Sequence, residues 1–187
     1  MLYLLTGDIR AGKTRWLERE LAAARGRGAS VFGVLAPGVW RQDGRGGFEK
    51  LGIDNVLLPQ GERLRLADRR DIAVASGTVE QGGQSERAGL GWAMSESALA
   101  RVDAHFELLG REVAPVPLER GVLVVDELGR LELLHGGGLV HALELLSRGP
   151  QPAWSDAVAV VRRDLLPAAR AALDGAWDGV REVVPGA

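Results

Sequence analysis

Short continuous apolar runs alternate with stretches of helical spacing along most of this chain. The apolar runs predict buried strands at residues 2–6, 30–36, 121–125, 157–161 and 180–184. Apolar positions three and four residues apart predict helices over residues 13–24, 95–109, 139–147 and 165–173. This alternation predicts an α/β fold, in which a mostly parallel sheet carries helices on both faces in three layers. We expect the second strand to run parallel to the first, in a right-handed βαβ unit.

Residues 37–67 depart from this alternation. Short strand patterns flank an Asp43-Gly44 turn, and a second pair of strand patterns, 55–58 and 63–66, flanks residues 59–61. This segment therefore predicts an antiparallel β-hairpin insertion. Residues 77–92 carry several glycines and little periodicity, which predicts a mobile surface loop. Neither a repeat nor a linker is visible, so residues 1–187 are predicted to form a single domain.

Composition narrows the classes of partner. The chain is 46% hydrophobic and 26% charged with a formal net charge of -2, so we expect no nucleic-acid partner. It contains no cysteine, which excludes disulfides, thiolate metal sites and thiol catalysis. No apolar run is long enough to span a membrane and no signal-peptide pattern is visible, so we expect a cytoplasmic protein without membrane association. No pattern indicates which protein partner, if any, it has.

The strongest motif lies between the first predicted strand and the first predicted helix. Residues 7–14 match the phosphate-loop (Walker A) pattern G-x-x-x-x-G-K-[ST] in full. The pattern and its flank predict a nucleotide-binding segment made of Gly7, Asp8, Ile9, Arg10, Ala11, Gly12, Lys13, Thr14 and Arg15. The predicted ligand is a nucleoside triphosphate such as ATP or GTP.

Each part of this loop has a chemical reason. Gly7 and Gly12 allow the backbone to approach a phosphate, so that successive N–H groups point inward. The start of the helix adds unpaired N–H groups and the positive end of its dipole. Lys13 is predicted to act on the β- and γ-phosphates and Thr14 to ligate Mg²⁺. Arg10 either adds positive charge near the phosphates or is a solvated side chain on the outer face of the loop.

Lysine is rare in this chain. Of the 23 basic residues, 21 are arginine, and the two lysines are Lys13 and Lys50. A retained lysine raises the question of whether a compact ammonium group is needed there. For Lys50 alone, coding bias with a random survivor is the preferred interpretation.

An acidic pair follows the most strand-like run of the sequence. Asp126 and Glu127 come directly after the apolar residues 121–125. Ligands of open α/β sheets bind at the carboxyl ends of the strands. As a Walker B pair, Asp126 is predicted to hold Mg²⁺ and Glu127 to activate the attacking water. The combination favours hydrolysis over binding alone.

The residues around this pair carry a family resemblance. The sequence Val-Val-Asp-Glu-Leu-Gly-Arg-Leu-Glu-Leu at 124–133 resembles the signature DEIGKMEL of the THEP1-type nucleoside triphosphatases. Residues 33–48, with Arg41, Arg45 and Gly47-Phe48, resemble the arginine-bearing hairpin of that family. The resemblance implies one P-loop domain with a hairpin insertion, which hydrolyses nucleoside triphosphates slowly and with broad base tolerance. It leaves the roles of Arg130 and Glu132 open, and an ion pair of Glu132 that orders its loop is the simplest reading.

This chain also departs from the family pattern. Arg10 stands where a central glycine is common, Arg15 replaces a second Thr, and Pro37-Gly38 replace acidic residues. These departures bear on base preference and rate more than on binding. Two other functions stay open: a kinase acting on a nucleoside or other small molecule, with residues 77–92 as a lid, and a nucleotide-dependent switch or accessory GTP-binding protein.

Histidine and tryptophan residues are not assigned to the site. His105 is predicted to lie on a helix face, and no metal is assigned to any histidine. Trp40, near the hairpin, either stacks on a base or packs against the protein, and packing is the preferred interpretation.

Overall fold

The computed structural model of the chain describes residues 1–8, 11–80, 82–87, 89, 91–111 and 121–186. Its strands are β1 (Leu2–Leu5), β2 (Ser30–Leu35), β3 (Gly38–Gln42), β4 (Phe48–Leu58), β5 (Arg63–Arg69), β6 (Trp92–Met94), β7 (Gly121–Leu128), β8 (Asp156–Val161) and β9 (Val180–Val183). Its helices are α1 (Lys13–Gly26), α2 (Arg70–Ser76), α3 (Gln84–Arg87), α4 (Glu96–Arg111), α5 (Arg130–His135), α6 (Val140–Ser147) and α7 (Leu166–Leu173), with a 3₁₀ turn at Arg163–Leu165.

All the strands belong to one sheet with a parallel and an antiparallel half. The order is β6-β5-β4-β2-β7-β8-β1-β9, and β3 pairs with β4 outside this path. Strands β2, β7, β8, β1 and β9 pair in parallel, whereas β3, β4, β5 and β6 pair antiparallel. The predicted fold class is thereby confirmed. Strand β2 runs parallel to β1, as expected, and β7 and β8 lie between them.

Helices cover both faces of the sheet. On one face, Leu17 and Leu21 of α1 pack with Leu5, Val124 and other residues of the central strands. The opposite face carries the larger core, to which α4, α6 and α7 contribute. Its most buried large side chains include Phe106 of α4. Apolar faces at helical spacing therefore seal a sheet whose central strands are apolar on both sides.

The antiparallel insertion is a continuous meander instead of two separate hairpins. Strand β4 runs for 11 residues and pairs with β3 at its start and with β5 and β2 further along. Charged and glycine residues, including Lys50, Gly52 and the buried Asp54, interrupt its apolar pattern. The sequence therefore predicted only its two ends. Because β4 also pairs with β2, it joins the two halves of the sheet.

The segment 77–92 contains an element that the sequence did not predict. Helix α3 lies within it, and the Gln84 side chain forms hydrogen bonds to two neighbouring segments. Its Nε2 donates to Glu96 Oε2 over 3.0 Å, and its Oε1 accepts from the Gly138 N–H over 2.8 Å. These bonds connect α3 to the start of α4 and to the segment that follows α5. Helices α2 and α5 were likewise not predicted, because both are short.

None of the helices in the described ranges has the length and apolar character that a membrane crossing requires.

Candidate functional site

The two sequence motifs meet at one edge of the sheet. Strands β1, β8 and β7 are parallel neighbours, and Leu5, Val160 and Asp126 share one row across them. The phosphate loop leaves the carboxyl end of β1, and Asp126 and Glu127 lie at the carboxyl end of β7. Although about 110 residues separate the two motifs in sequence, only strand β8 lies between β1 and β7 in the sheet. This edge is where ligands bind in open α/β sheets.

The described part of the phosphate loop has the backbone that the glycine spacing predicted. Gly7 has φ 146° and Gly12 has φ 78°, conformations that residues with a side chain rarely adopt. Helix α1 begins at Lys13, directly after Gly12. The Lys13 ammonium donates to the carbonyl oxygens of Gly7 at 3.0 Å and Asp8 at 2.9 Å, so it lies across its own loop.

The remaining residues of the loop, apart from Thr14, are either exposed or outside the described ranges. Asp8, Ala11 and Arg15 are exposed. Ile9 and Arg10 lie outside the described residues, so the two interpretations of Arg10 both stay open.

Asp126 is a buried carboxylate in contact with the phosphate-loop helix. It is 4% exposed, and its Oδ2 accepts a hydrogen bond from the Ala36 N–H over 3.0 Å. The Thr14 side chain lies close enough to interact with this carboxylate. Burial raises the pKa of Asp126 to about 6, and the nearby Glu127 adds to that rise, while the Ala36 N–H and the Thr14 side chain oppose it. The structure therefore joins the two residues predicted as metal ligands.

This pair offers a donor set suited to a hard cation. A hydroxyl and a carboxylate supply oxygen ligands, which Mg²⁺ prefers, and Mg²⁺ is usually held by one or two protein groups plus phosphate oxygens and water. Within the described ranges, no group of three or more His, Asp or Glu side chains forms a metal cage. An ion here would have to share its coordination with a ligand. Thr14 and Asp126 fit that arrangement.

Glu127 faces the same edge but pairs differently. The register of β7 against β8 shifts between Asp126 and Leu128, so Glu127 leaves the regular ladder. Its Oε1 accepts from Arg162 Nε over 2.8 Å, and its side chain is 36% exposed. Its Oε2 has no hydrogen-bond partner within the part of the chain that the structure describes. The carboxylate is thus held at one oxygen and open at the other.

Arg162 was missed in the sequence, although a signal was present. It follows the last residue of β8, Val161, as Asp126 follows the apolar run of β7. The carboxyl ends of parallel strands meet at one edge. A charged residue directly after a predicted parallel strand should therefore have been counted as a candidate.

Lys50 was also missed in the sequence, and its surroundings include the acidic pair. The side chain is half-buried, and its ammonium lies 5.2 Å from the centre of the Trp92 ring. Burial lowers the pKa of Lys50, while the charges of Glu127 and Asp126 act to raise it and that of Arg162 lowers it further. Both lysines of the chain therefore lie beside the candidate site. Their rarity was the signal.

Glu132 orders its loop, but by hydrogen bonds to backbone instead of the expected ion pair. The side chain is 8% exposed, and its two oxygens accept from the Gly129 and Leu139 N–H groups, each over 2.8 Å. Burial raises the pKa of Glu132, and these N–H groups oppose the rise. Glu132 thus ties the start of α5 to the start of α6. Arg130 lies 3.8 Å from Asp164 in an exposed ion pair.

His105 and His141 have partners in other elements of the fold. His105 is buried in α4, with its Nε2 3.1 Å from the carbonyl oxygen of Leu58. His141 of α6 lies 2.7 Å from Asp103 of α4. Trp40 is 41% exposed and stands opposite Lys50 in the β3–β4 ladder.

Comparison with solved structures agrees with this architecture. The crystal structure of THEP1 from the hyperthermophile Aquifex aeolicus superimposes with a TM-score of 0.62, covering 99% of this chain and 91% of that one. The chain has a THEP1-like fold. Sequence identity to that structure is 18%, so the likeness extends to the fold and no further. No protein-family model matches the chain, and no curated protein matches it in sequence.

Proposed function

We propose that this protein hydrolyses nucleoside 5'-triphosphates to diphosphate and phosphate in the presence of Mg²⁺. The observation that carries the proposal is that the phosphate loop after β1 and the pair Asp126 and Glu127 of β7 meet at one edge of the sheet, with Thr14 beside Asp126. A phosphate-binding loop, an oxygen ligand pair and a carboxylate with one open oxygen are the groups that such hydrolysis needs. The resemblance to THEP1-type enzymes supports slow turnover and broad base tolerance.

In this proposal, the phosphate-loop residues bind and orient the triphosphate. The N–H groups of the loop and of the first turn of α1 donate to phosphate oxygens. The Lys13 ammonium exchanges its bonds to the Gly7 and Asp8 carbonyl oxygens for bonds to the β- and γ-phosphates. Thr14 and Asp126 would hold Mg²⁺, which when bound would supply positive charge to the phosphate oxygens.

Glu127 receives a proton in the chemical step. Arg162 fixes Oε1 of Glu127, which leaves Oε2 to accept a proton from the attacking water. The water oxygen bonds to the γ-phosphorus, and the bond from that phosphorus to the bridging oxygen breaks. The products are a nucleoside diphosphate and inorganic phosphate, and the diphosphate retains the bridging oxygen.

The test is phosphate release from several nucleoside triphosphates by purified protein, with Mg²⁺ and with excess chelator. Glu127→Gln should retain triphosphate affinity within about threefold while lowering turnover by roughly a hundredfold or more, because Gln cannot accept the proton. Lys13→Ala, in contrast, should lose affinity for the triphosphate. The exposed Glu18 of α1 offers a matched control: Glu18→Gln should leave both quantities unchanged.

Three outcomes would contradict the proposal. Full turnover by Glu127→Gln would remove the proton-accepting role. Transfer of phosphate to an added nucleoside in place of water would indicate a kinase. Hydrolysis too slow to measure, together with a partner that binds only the triphosphate form, would indicate a switch.

A further inference from the structure

Lys50 reaches the candidate site from the antiparallel half of the sheet. Strand β4 runs antiparallel to β2, with Leu35 at the end of β2 opposite Val56. Lys50 comes six residues before Val56 on β4, so it lies beyond the carboxyl end of β2. That is the edge at which the phosphate loop and Asp126 lie. The hairpin thus extends a lysine over the site.

The two faces of this hairpin carry different groups. Arg41 and Glu49 are opposite one another and form an ion pair, and Arg69 bonds to the second oxygen of Glu49. Lys50 is opposite Trp40 in the ladder, and neighbouring residues of a strand point to opposite faces. Arg41, one of the two arginines that the family resemblance named, is therefore occupied on the other face. Lys50 is the cation of this hairpin that the charges of Glu127 and Asp126 reach.

The Lys50 side chain is supported along its length. A Cβ atom at position 38 would lie 2.8 Å from Lys50 Cε, so Gly38 leaves the space through which the lysine stem passes. The ammonium lies over the Trp92 ring at 5.2 Å, within the range of a cation–π interaction. These contacts position the ammonium without using its N–H donors in ordinary hydrogen bonds.

The nearby carboxylates have other partners. Glu127 Oε1 accepts from Arg162, and Asp126 Oδ2 accepts from Ala36. Within the described part of the chain, no carboxylate lies within 4.0 Å of Lys50 Nζ and no hydrogen bond from it is found. A half-buried ammonium with three donors is thus held near two carboxylates and bound to neither. Such a group suits an anionic ligand with several acceptor oxygens.

We propose that Lys50 binds the terminal phosphate of the nucleotide and makes the site prefer a triphosphate over a diphosphate. This inference rests on the proposed function, which places the terminal phosphate between Lys13 and Glu127. Lys13 extends from the loop that also holds the inner phosphates, whereas Lys50 approaches from the side of Glu127 and Asp126. Removing Lys50 should therefore affect only ligands that carry the third phosphate.

The test measures the affinities for a non-hydrolysable triphosphate analogue and for the diphosphate of the same base, with Mg²⁺, by calorimetry. Lys50→Met should weaken triphosphate binding about tenfold and leave diphosphate binding within about twofold, as expected for a lost charge-assisted hydrogen bond. Lys50→Arg should recover most of the preference, and Lys50→Gln should behave like Lys50→Met. Arg45→Met removes an exposed cation from the turn of the same hairpin and is the matched control, with unchanged affinities.

The outcomes separate this inference from the function on which it rests. Equal losses for triphosphate and diphosphate would overturn it in favour of a general effect of charge on the site. Unchanged affinities in both Lys50→Met and Lys50→Gln would overturn it outright while leaving hydrolysis intact. If wild-type protein and Lys13→Ala bind neither nucleotide, the proposed function fails and Lys50 fails with it. The binding measurement does not depend on turnover. The Lys50 variants can therefore also be compared in a Glu127→Gln background, where the same differences in affinity are expected.

Discussion

Asp126→Asn should make the protein more stable in the absence of Mg²⁺ and nucleotide. Burial raises the pKa of Asp126 from 3.8 to about 6, so the folded protein disfavours the ionised carboxylate. About two pKa units at 1.36 kcal/mol each correspond to roughly 3 kcal/mol of destabilisation once the group is ionised. Asparagine is neutral at every pH, and its carbonyl oxygen still accepts the Ala36 N–H bond.

The sign of the pH dependence follows from the same shift. Between the unfolded pKa of 3.8 and the folded pKa of about 6, the folded state binds more protons than the unfolded state. The contribution of Asp126 to the free energy of unfolding therefore falls as pH rises through this window, and it is fully lost above it. The advantage of Asp126→Asn should be near zero at pH 4 and about 2 to 3 kcal/mol at pH 8.

Urea unfolding with a chelator, at several pH values, measures this difference. Asp178→Asn is the matched control, because Asp178 is exposed and the change in charge is the same. It should show no such pH-dependent gain. An Asp126→Asn variant that is less stable than wild type at pH 8, or a difference that does not vary with pH, would refute the reasoning. With Mg²⁺ and a triphosphate analogue added, wild type should gain stability while Asp126→Asn should gain little.

Two further changes test neighbouring parts of the site. Glu132→Ala should lower the free energy of unfolding by about 2 to 5 kcal/mol, because it leaves one buried and one partly buried N–H group without acceptors. Glu132→Gln should cost about half as much. A loss under about 1 kcal/mol for Glu132→Ala in urea unfolding would contradict this. Arg162→Gln should lower kcat by roughly tenfold to a hundredfold with little change in nucleotide affinity, since Glu127 loses the bond that orients it. Arg163→Gln, next to it and exposed, is the control in the same phosphate-release assay, and an equal loss in both variants would count against an orienting role for Arg162.

The parts of the site that lie in one stretch of sequence were predictable. The phosphate loop combines glycines, a lysine and a threonine at fixed spacing, and Asp126 follows a long apolar run. Both patterns are local, and the rule that ligands bind at the carboxyl ends of parallel strands brings them together. The structure confirms the fold that these patterns predicted, and their roles in binding and catalysis stay predictions.

Lys50 and Arg162 were not predicted because tertiary pairing brings them to the site. The position of Lys50 at the site depends on the antiparallel register of β4. No local pattern fixes that register, since Gly52 and a register shift near Asp54 interrupt the strand. Periodicity detects a strand when one face is apolar, and this part of β4 carries polar side chains on both. The element α3 was missed for a related reason: its tether is a side-chain network around Gln84, not an apolar stripe.

The arrangement divides the candidate site between the two halves of the sheet. The parallel half supplies the phosphate loop, the acidic pair and Arg162, whereas the antiparallel half supplies Lys50 and Trp92. The halves meet where the chain leaves β2, and there the Ala36 N–H donates to Asp126. The carboxylate proposed to hold Mg²⁺ therefore also fixes the start of the hairpin that carries Lys50. A ligand bound between Lys13 and Lys50 would contact both halves of the sheet. The two ammonium groups would offset the repulsion that Asp126 and Glu127 alone would exert on the negative charges of its phosphates.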